Sequence, residues 1–489
     1  MKLEIGNIQV KDVVLGTENS FKDGILTINK QEAINYLKEK DDHLTDVDIV
    51  IAHPGDDTRI CPVVETIEPR MRVDGRTLFP GVTDDVVPAG EGELKAFKGC
   101  CVTVVAKEWG SFGDGVIDMG GEGAKHTYWS KLINICLVGD TDEEFERHEQ
   151  QKCNHALRWA GHRFAEWIGK IAENVAVEET EVYEFDPILK RDDSRKELPN
   201  VVAVLQPQSQ MEALGYNDLW YGWDMNKYLP SFVSPTEVFD GAIISGSFMP
   251  SSSKWSTYEM QNFPTLKELM KHDGKEFNFV GVIMSNLNVA LEQKERSAIM
   301  VRNMALNLGA DYALVTEDVY ENTAAYRGVQ MLIKKIKGED YQTELIIPKK
   351  DLVPIAPAIK DLSEATIVLC TTGGIVPVDN PDRIQSASAT RWGRYNVAGL
   401  DKLPNRADGG YKTIHAGYDP AAADACPDVC TPIDALRQYE KEGKIGKLDD
   451  WFYTTVGTGT TESEAARMAN EMLPFFEEEG VDGVIMTST

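Results

Sequence analysis

Apolar residues in the first 135 positions come in short runs broken by glycine and proline. VDIVIA (47–52) and CVTVVA (101–106) read as buried strands. HPGDD (53–57), EPRMRVDGR (68–76), FPG (79–81) and GEG (90–92) read as turns. The loop GSFGDGVIDMGGEGAKH (110–126) holds six glycines, a pattern suited to close backbone approach by a ligand. A long helix follows. Thr141 and Glu144 have capping-box spacing, and Leu157, Ala160, Phe164, Ile168 and Ile171 form an amphipathic stripe. His148, His155 and His162 recur every seven residues on nearly one face. Residues two turns apart are separated by roughly 10 Å of rise, too far to share a metal ion, so these read as solvated or interface histidines.

After Pro199 strands and helices alternate. VVAVL (201–205), DGAIIS (240–245), FNFVGVIMS (277–285) and YALVT (312–316) read as strands; 264–272, 289–308 and a basic stretch 324–337 read as helices. KKDLVPIAPAIKD (349–361) reads as a linker. The alternation then resumes with ATIVLC (365–370), helix 434–443, WFYTTVG (451–457), a helix ending before Gly480, and a last strand in VDGVIMTST. The expectation is an α/β chain: a β-rich region with a long helix (1–198), then two α/β domains (199–322 and 323–489) with mostly parallel sheets covered by helices.

Composition narrows the function. With 50 Lys+Arg against 79 Asp+Glu the net charge is −29, which argues against nucleic-acid binding. No apolar run approaches the length of a membrane span, and the N-terminus lacks a signal-peptide core. Eight cysteines in 489 residues read as reduced thiols of a cytoplasmic protein. Neither Cys100-Cys101 nor Cys426/Cys430 has the second pair that a zinc site needs, so no metal is expected.

Candidate chemistry gathers at strand ends, where open α/β sheets bind ligands. Thr371, Thr372, Gly373 and Gly374 follow one strand; Gly457, Thr458, Gly459 and Thr460 follow another and precede a helix. Either loop could present backbone N–H groups to an anion, or be a tight turn with an N-cap at Thr460 or Thr461. In HAGYD, His415 is a candidate acid/base with Asp419 as its orienter. In DLWYGWDM, Trp220, Tyr221 and Trp223 offer π faces to a methylated ammonium, or form a core anchor.

Dense strings then carry a resemblance. LCTTGGIVPVDNPDRIQSASATRWGRYNV (369–397), HAGYDP (415–420), RGVQMLIKKIKGEDYQTE (327–344) and the run from WFYTTVGTGT to the C-terminus resemble the selenoprotein subunit of component B of glycine, sarcosine and betaine reductases. IEPRMRVDGRTLFPG, GVIDMGGEGA, PTEVFDGAIISG, GKEFNFVGVIMSN and KERSA resemble the proprotein subunit of the same component. The chain thus looks like two subunit types joined near 318–325. The resemblance implies reductive C–N cleavage of a glycine-type amine, yielding acetyl phosphate with components A and C and, indirectly, the thioredoxin system. It also implies a homo- or hetero-oligomer.

Two departures qualify the resemblance. The family's proprotein is cut at an Asn-Cys bond to give a pyruvoyl group; the matching position after GAIISG reads Ser247-Phe248, so no pyruvoyl is expected, although Ser247 offers a hydroxyl. The selenoprotein carries selenocysteine after Thr-Ser-Thr, and Thr489 is the residue that would precede it, so the 489-residue form is expected to carry neither reactive group. Without a Schiff base, a substrate held over aromatic rings is favoured, which tilts the expectation to N-methylated amines. The alternative is an inert binding or scaffold relative.

Overall fold

The computed structural model describes the chain except for residues 108–114, 143–149, 187–189, 192–194, 208, 210–217, 247–255, 289–290, 317–321, 343–354, 419 and 488–489. The chain forms two compact units, Met1–Ile346 and Ile347–Thr489.

The first unit opens with two sheets. One runs in the order Glu179–Glu184, Lys2–Gln9, Gly92–Lys98, Arg70–Arg72; the other runs Gly115–Asp118, Arg59–Ile67, Cys100–Ala106, Ile133–Gly139, Asp48–Ala52. The continuous apolar run at 47–52 suggested a strand buried on both faces, but it is an edge strand with Val50 exposed. Every residue of Cys100–Ala106, in the middle of that sheet, is buried. The helix Gln150–Gly169 lies against these strands because its stripe is apolar: Leu157, Ala160, Phe164 and Ile168 are buried as the spacing required. Gly161 lets the helix approach closely, since a Cβ there would run into Val104.

One expectation for this helix fails. His162 is fully buried rather than solvated, because its face passes under the segment beginning at Thr257. His155 is half-buried beside Trp159, their rings 5.5 Å apart, and His148 lies outside the described residues, as does Glu144 of the proposed cap. The glycine-rich loop also serves the protein's own backbone. A Cβ on Gly120 would crowd the Asp56 carbonyl at 2.6 Å, and one on Gly123 would collide with Asp118.

The rest of the first unit is an α/β layer. Its sheet runs Ser231–Val233, Asn278–Met284, Asn200–Leu205, Tyr312–Thr316, parallel except for the first strand. The helix Leu291–Asn307 covers Val202, Val280 and Ile283 on one face. Leu266 and Leu269 of Pro264–His272, with Val329, Leu332 and Ile333 of Asn322–Lys337, join the core on the other. The last of these helices, which the sequence reading grouped with the C-terminal region, therefore packs inside the first unit. DGAIIS contributes only Ile243–Ile244, paired with a small hairpin instead of the parallel sheet.

The second unit repeats the scheme. Its sheet runs Gly393–Asn396, Lys447–Thr454, Thr366–Thr371, Gly483–Thr487, again parallel except for the first strand. Alternate residues face opposite sides. Val368, Cys370 and Tyr453 meet Met468 and Met472 of the helix Glu462–Glu479, and Ile367, Leu369 and Phe452 meet Ile433 and Leu436 of Ile433–Lys441. Gly480 ends the longer helix in the left-handed conformation, φ 66°. Among the described residues no helix is long and apolar enough to cross a membrane.

Candidate functional site

The three parallel strands of the second unit end level with one another: Thr371 is in register with Thr454 on one side and Thr487 on the other. The loop after Thr371 then closes on itself. Thr372 N–H donates to the Thr487 carbonyl (2.9 Å), Gly373 N–H to the Thr371 hydroxyl (3.1 Å) and Gly374 N–H to the Thr455 carbonyl (2.9 Å). Gly374 sits at φ 65°, where a Cβ would press on His415. These N–H groups are therefore spent inside the protein and do not form the anion cradle that TTGG suggested.

The second loop is tied to the first by Gly457 N–H donating to the Thr372 carbonyl (3.0 Å). Thr460 donates its hydroxyl to the Val456 carbonyl (2.6 Å) and accepts from Ala389 N–H (2.9 Å), while Thr461 is the N-cap. Gly459, at φ 65°, passes beside Ser388. What faces inward is Thr458, whose hydroxyl lies 2.9 Å from His415 Nε2.

His415 is buried and oriented from both ends. Nδ1 accepts from Gly417 N–H (3.0 Å), so the neutral ring carries its hydrogen on Nε2 and donates to Thr458. Burial lowers its pKa below 6.5, which keeps it neutral near pH 7. Asp419, its expected orienter, lies outside the described residues, as do Ser488 and Thr489.

Tyr418 and Cys430 complete this cluster, where the sequence pattern offers Tyr418 only as part of HAGYD and Cys430 only as half of the Cys426/Cys430 pair. The Tyr418 hydroxyl is 2.9 Å from the Gly373 carbonyl, 2.8 Å from the Thr413 hydroxyl and 3.5 Å from Cys430 Sγ. Thr487 donates to the Cys430 carbonyl at 2.7 Å. Burial, followed by the Cys430 contact, pushes the Tyr418 hydroxyl upward. Tyr418 is legible inside HAGYD as a polar neighbour; the Cys426/Cys430 spacing marks Cys430, but nothing local marks its contact with Tyr418.

In the first unit, Leu219–Trp220 and Trp223–Asp224 form a hairpin with Trp220 opposite Trp223. Its two-residue turn is Tyr221-Gly222, both at positive φ (48° and 76°). Tyr221 is held there by its hydroxyl, which donates to Glu237 (2.9 Å) and accepts from Ala89 N–H (3.3 Å). The Trp220 and Tyr221 rings have centroids 6.0 Å apart. Tyr228 also joins Trp220 and Trp223, with ring centroids 4.9 Å and 6.5 Å away, and donates its hydroxyl to the Trp220 carbonyl (2.8 Å). Trp223 is 63% exposed, so it is not a core anchor.

Trp223 also borders a cleft of about 710 Å³ lined by Trp159, His155, Asp41, Leu219, Asp224 and Lys227. That volume falls in the range of roughly 300–1,000 Å³ that takes drug-sized ligands, larger than a glycine-type amine needs.

A third cluster is wholly interior. Glu65 accepts from Thr66 N–H (2.8 Å) and Thr257 N–H (2.9 Å), and Thr257 Oγ1 lies 3.0 Å from its other oxygen and 3.1 Å from His162 Nε2. Arg158 donates to the carbonyls of Val64 (2.9 Å) and Gly246 (2.7 Å). Burial pushes Glu65 up to about 7 and His162 down to about 3. Ser247, two residues beyond Ser245, lies outside the described residues. Cys100 and Cys101 are buried, and burial raises the Cys101 thiol to about 12. Among the described residues, no group of three or more His, Cys, Asp and Glu could hold a metal ion.

Comparison with known proteins gives the family. Residues 1–348 match the model for glycine/sarcosine/betaine reductase component B subunits, and residues 289–489 match that for glycine/sarcosine/betaine reductase selenoprotein B. The betaine reductase complex component B subunit alpha of Peptoclostridium acidaminophilum is 60% identical over 326 residues, 66% of this chain and 74% of that protein. The beta subunit of the same complex is 69% identical over 166 residues, 34% of this chain and 37% of that protein, so the chain spans little more than a third of this relative. The glycine reductase complex component B subunits alpha and beta of Acetoanaerobium sticklandii are 36% identical over 377 residues, 76% of this chain and 85% of that protein. No solved structure matches. The chain belongs to the glycine/sarcosine/betaine reductase component B family and contains regions of both of its subunit types.

Proposed function

We propose that this protein is the substrate-binding component B of a betaine-type reductase system. It binds a small N-methylated glycine and prepares it for reductive C–N cleavage. In that reaction the amine leaves with the electron pair of the C–N bond, a dithiol supplies two electrons and becomes a disulfide, and the two-carbon fragment combines with inorganic phosphate, with loss of water, to leave as acetyl phosphate, with components A and C as partners. The observation that carries the reading is the contrast in identity: 60% over 326 residues to the betaine reductase alpha subunit against 36% over 377 to the glycine reductase alpha and beta subunits, and 69% over 166 to the betaine reductase beta subunit against 51% over 169 to a glycine reductase gamma subunit.

A pyruvoyl group does not fit the residues present. The position that matches the processing cysteine is Phe248, which has no heteroatom to attack the preceding carbonyl. A quaternary amine cannot form a Schiff base, so its binding does not need one. The first unit's own residues then supply binding and orientation, through aromatic faces that suit the methylated ammonium. Calorimetric titration of the 489-residue protein tests this. Betaine should bind more tightly than sarcosine, and sarcosine more tightly than glycine; glycine first, or no betaine binding, refutes it.

A further inference from the structure

The sheets of the two units share one topology. In each, a central strand (Asn200–Leu205 or Thr366–Thr371) has a parallel neighbour on either side, and a short antiparallel strand flanks the second of the three. A single helix, Leu291–Asn307 or Glu462–Glu479, crosses from the second parallel strand to the third. The registers match as well. Leu205 pairs with Met284 and Thr316, as Thr371 pairs with Thr454 and Thr487. Residues 289–348, which include this crossover helix and third strand, fall within both family models.

The first unit therefore has strand ends equivalent to those around Thr371, and they too carry polar residues away from water. Ser209, Ser285, Asn286 and Thr316 are each less than 9% exposed. Asn286 donates from Nδ2 to the carbonyls of Met225 (2.6 Å) and Tyr228 (2.9 Å), which fastens the aromatic segment onto the strand ends. Its Oδ1 is buried and has no hydrogen-bond partner among the described residues. A buried acceptor left unpaired is costly, and such groups in native proteins commonly mark a site for something else. The unsatisfied oxygen thus belongs to the side chain that holds the Tyr228 backbone, and the Tyr228 ring packs with those of Trp220 and Trp223. Both a carbonyl oxygen and a π face attract positive charge.

We propose that the strand ends of the first unit are a ligand site in their own right, and that this site holds the methylated ammonium of the substrate against Tyr228 and Trp220. The proposal rests on the reading of this protein as an amine-binding component and assigns its specificity-determining residues. Tyr221 touches the Trp220 ring (centroids 6.0 Å apart) but has its hydroxyl committed to Glu237, and the cleft beside Trp159 shares Trp223 with this site.

The test is betaine titration of the full-length protein and two variants, together with nuclear Overhauser effects from the betaine methyl protons. Tyr228→Leu removes the ring and should weaken betaine binding about ten- to thirtyfold, the range expected for a desolvated cation–π contact. Tyr228→Phe keeps the ring and should stay within about threefold of wild type. The methyl protons should show contacts to the ring protons of residues 220 and 228. Wild-type affinity in Tyr228→Leu, or methyl contacts to His415 and Tyr418 instead, overturns this assignment and leaves the functional reading standing. Failure of the wild-type protein to bind betaine overturns both. The Overhauser measurement uses wild-type protein, so it decides the matter even if Tyr228→Leu does not fold.

Discussion

The carboxylate of Glu65 and the hydroxyl of Thr257 lie 3.0 Å apart in the interior, and His162 Nε2 is 3.1 Å from the same hydroxyl oxygen. His162 Nδ1 faces the Arg158 carbonyl oxygen at 2.7 Å, which can only accept, so the hydrogen of the neutral ring is on Nδ1. Nε2 then accepts from Thr257. The hydroxyl's one hydrogen is used there, and Glu65 must bring its own. A protonated Glu65 and a neutral His162 satisfy every partner, in agreement with the directions in which burial shifts them.

This pairing has a pH signature. His162, lowered to about 3, contributes stability that is lost as pH falls below 6.5; Glu65, raised to about 7, contributes stability that is lost as pH rises above 4.5. Between those values the two slopes cancel. Glu65→Gln keeps the hydrogen bonds and removes one titration. Relative to wild type, its stability should therefore fall as pH goes from 6.5 to 4.5 by up to about 1.4 kcal/mol per unit. Urea midpoints of both proteins across this range measure it, and a pH-independent difference between them rules out a protonated Glu65 beside a neutral His162.

His415 should titrate below pH 6.5 and hold its hydrogen on Nε2 when neutral, since Gly417 N–H occupies Nδ1. Nitrogen-15 spectra of the imidazole report both properties. A midpoint above 6.5, or the Nδ1–H tautomer, contradicts the geometry.

Trp223 stands largely in solvent. Trp223→Ala should change stability by no more than about 0.5 kcal/mol, the usual range for surface positions, whereas emptying a core site would cost about 3–5 kcal/mol. A thermal scan separates the two, and a drop of many degrees returns Trp223 to the core.

Gly222 has φ 76° and meets the Gly81 backbone directly, where a Cβ would collide with the carbonyl. Gly222→Ala should destabilise the first unit by about 1–3 kcal/mol from backbone strain alone, with the clash in addition. Equal denaturant midpoints for variant and wild type would mean that the turn is not held against Gly81.

Phe248 implies that the chain stays whole. Purified protein should run as one band near 54.3 kDa and resist carbonyl-reactive hydrazines. A labelled fragment beginning at 247 or 248 would show that Ser247 supports the cleavage after all.

The amino-acid pattern by itself determined the elements with strong local signals. The stripe from Leu157 to Ile168 dictated which helix face is buried, and the apolar runs at 201–205 and 366–370 made central strands because only a sheet covered on both sides shelters them. Gly480 was legible as a stop because a left-handed cap tolerates few other residues. Dense strings were enough to mark the family. Only the tertiary structure decided what depends on strand order and register. Thr371, Thr454 and Thr487 are far apart in sequence and become neighbours because three strands end level. His155 and His162 share a face of one helix, yet one borders a cleft and the other is sealed beneath Thr257, since burial is set by what lies opposite. Tyr221 and Tyr228 look interchangeable in the sequence. Tyr221 sits in the turn with its ring 6.0 Å from Trp220, and Asn286, more than fifty residues away in sequence, holds the backbone of Tyr228, whose ring is 4.9 Å from Trp220.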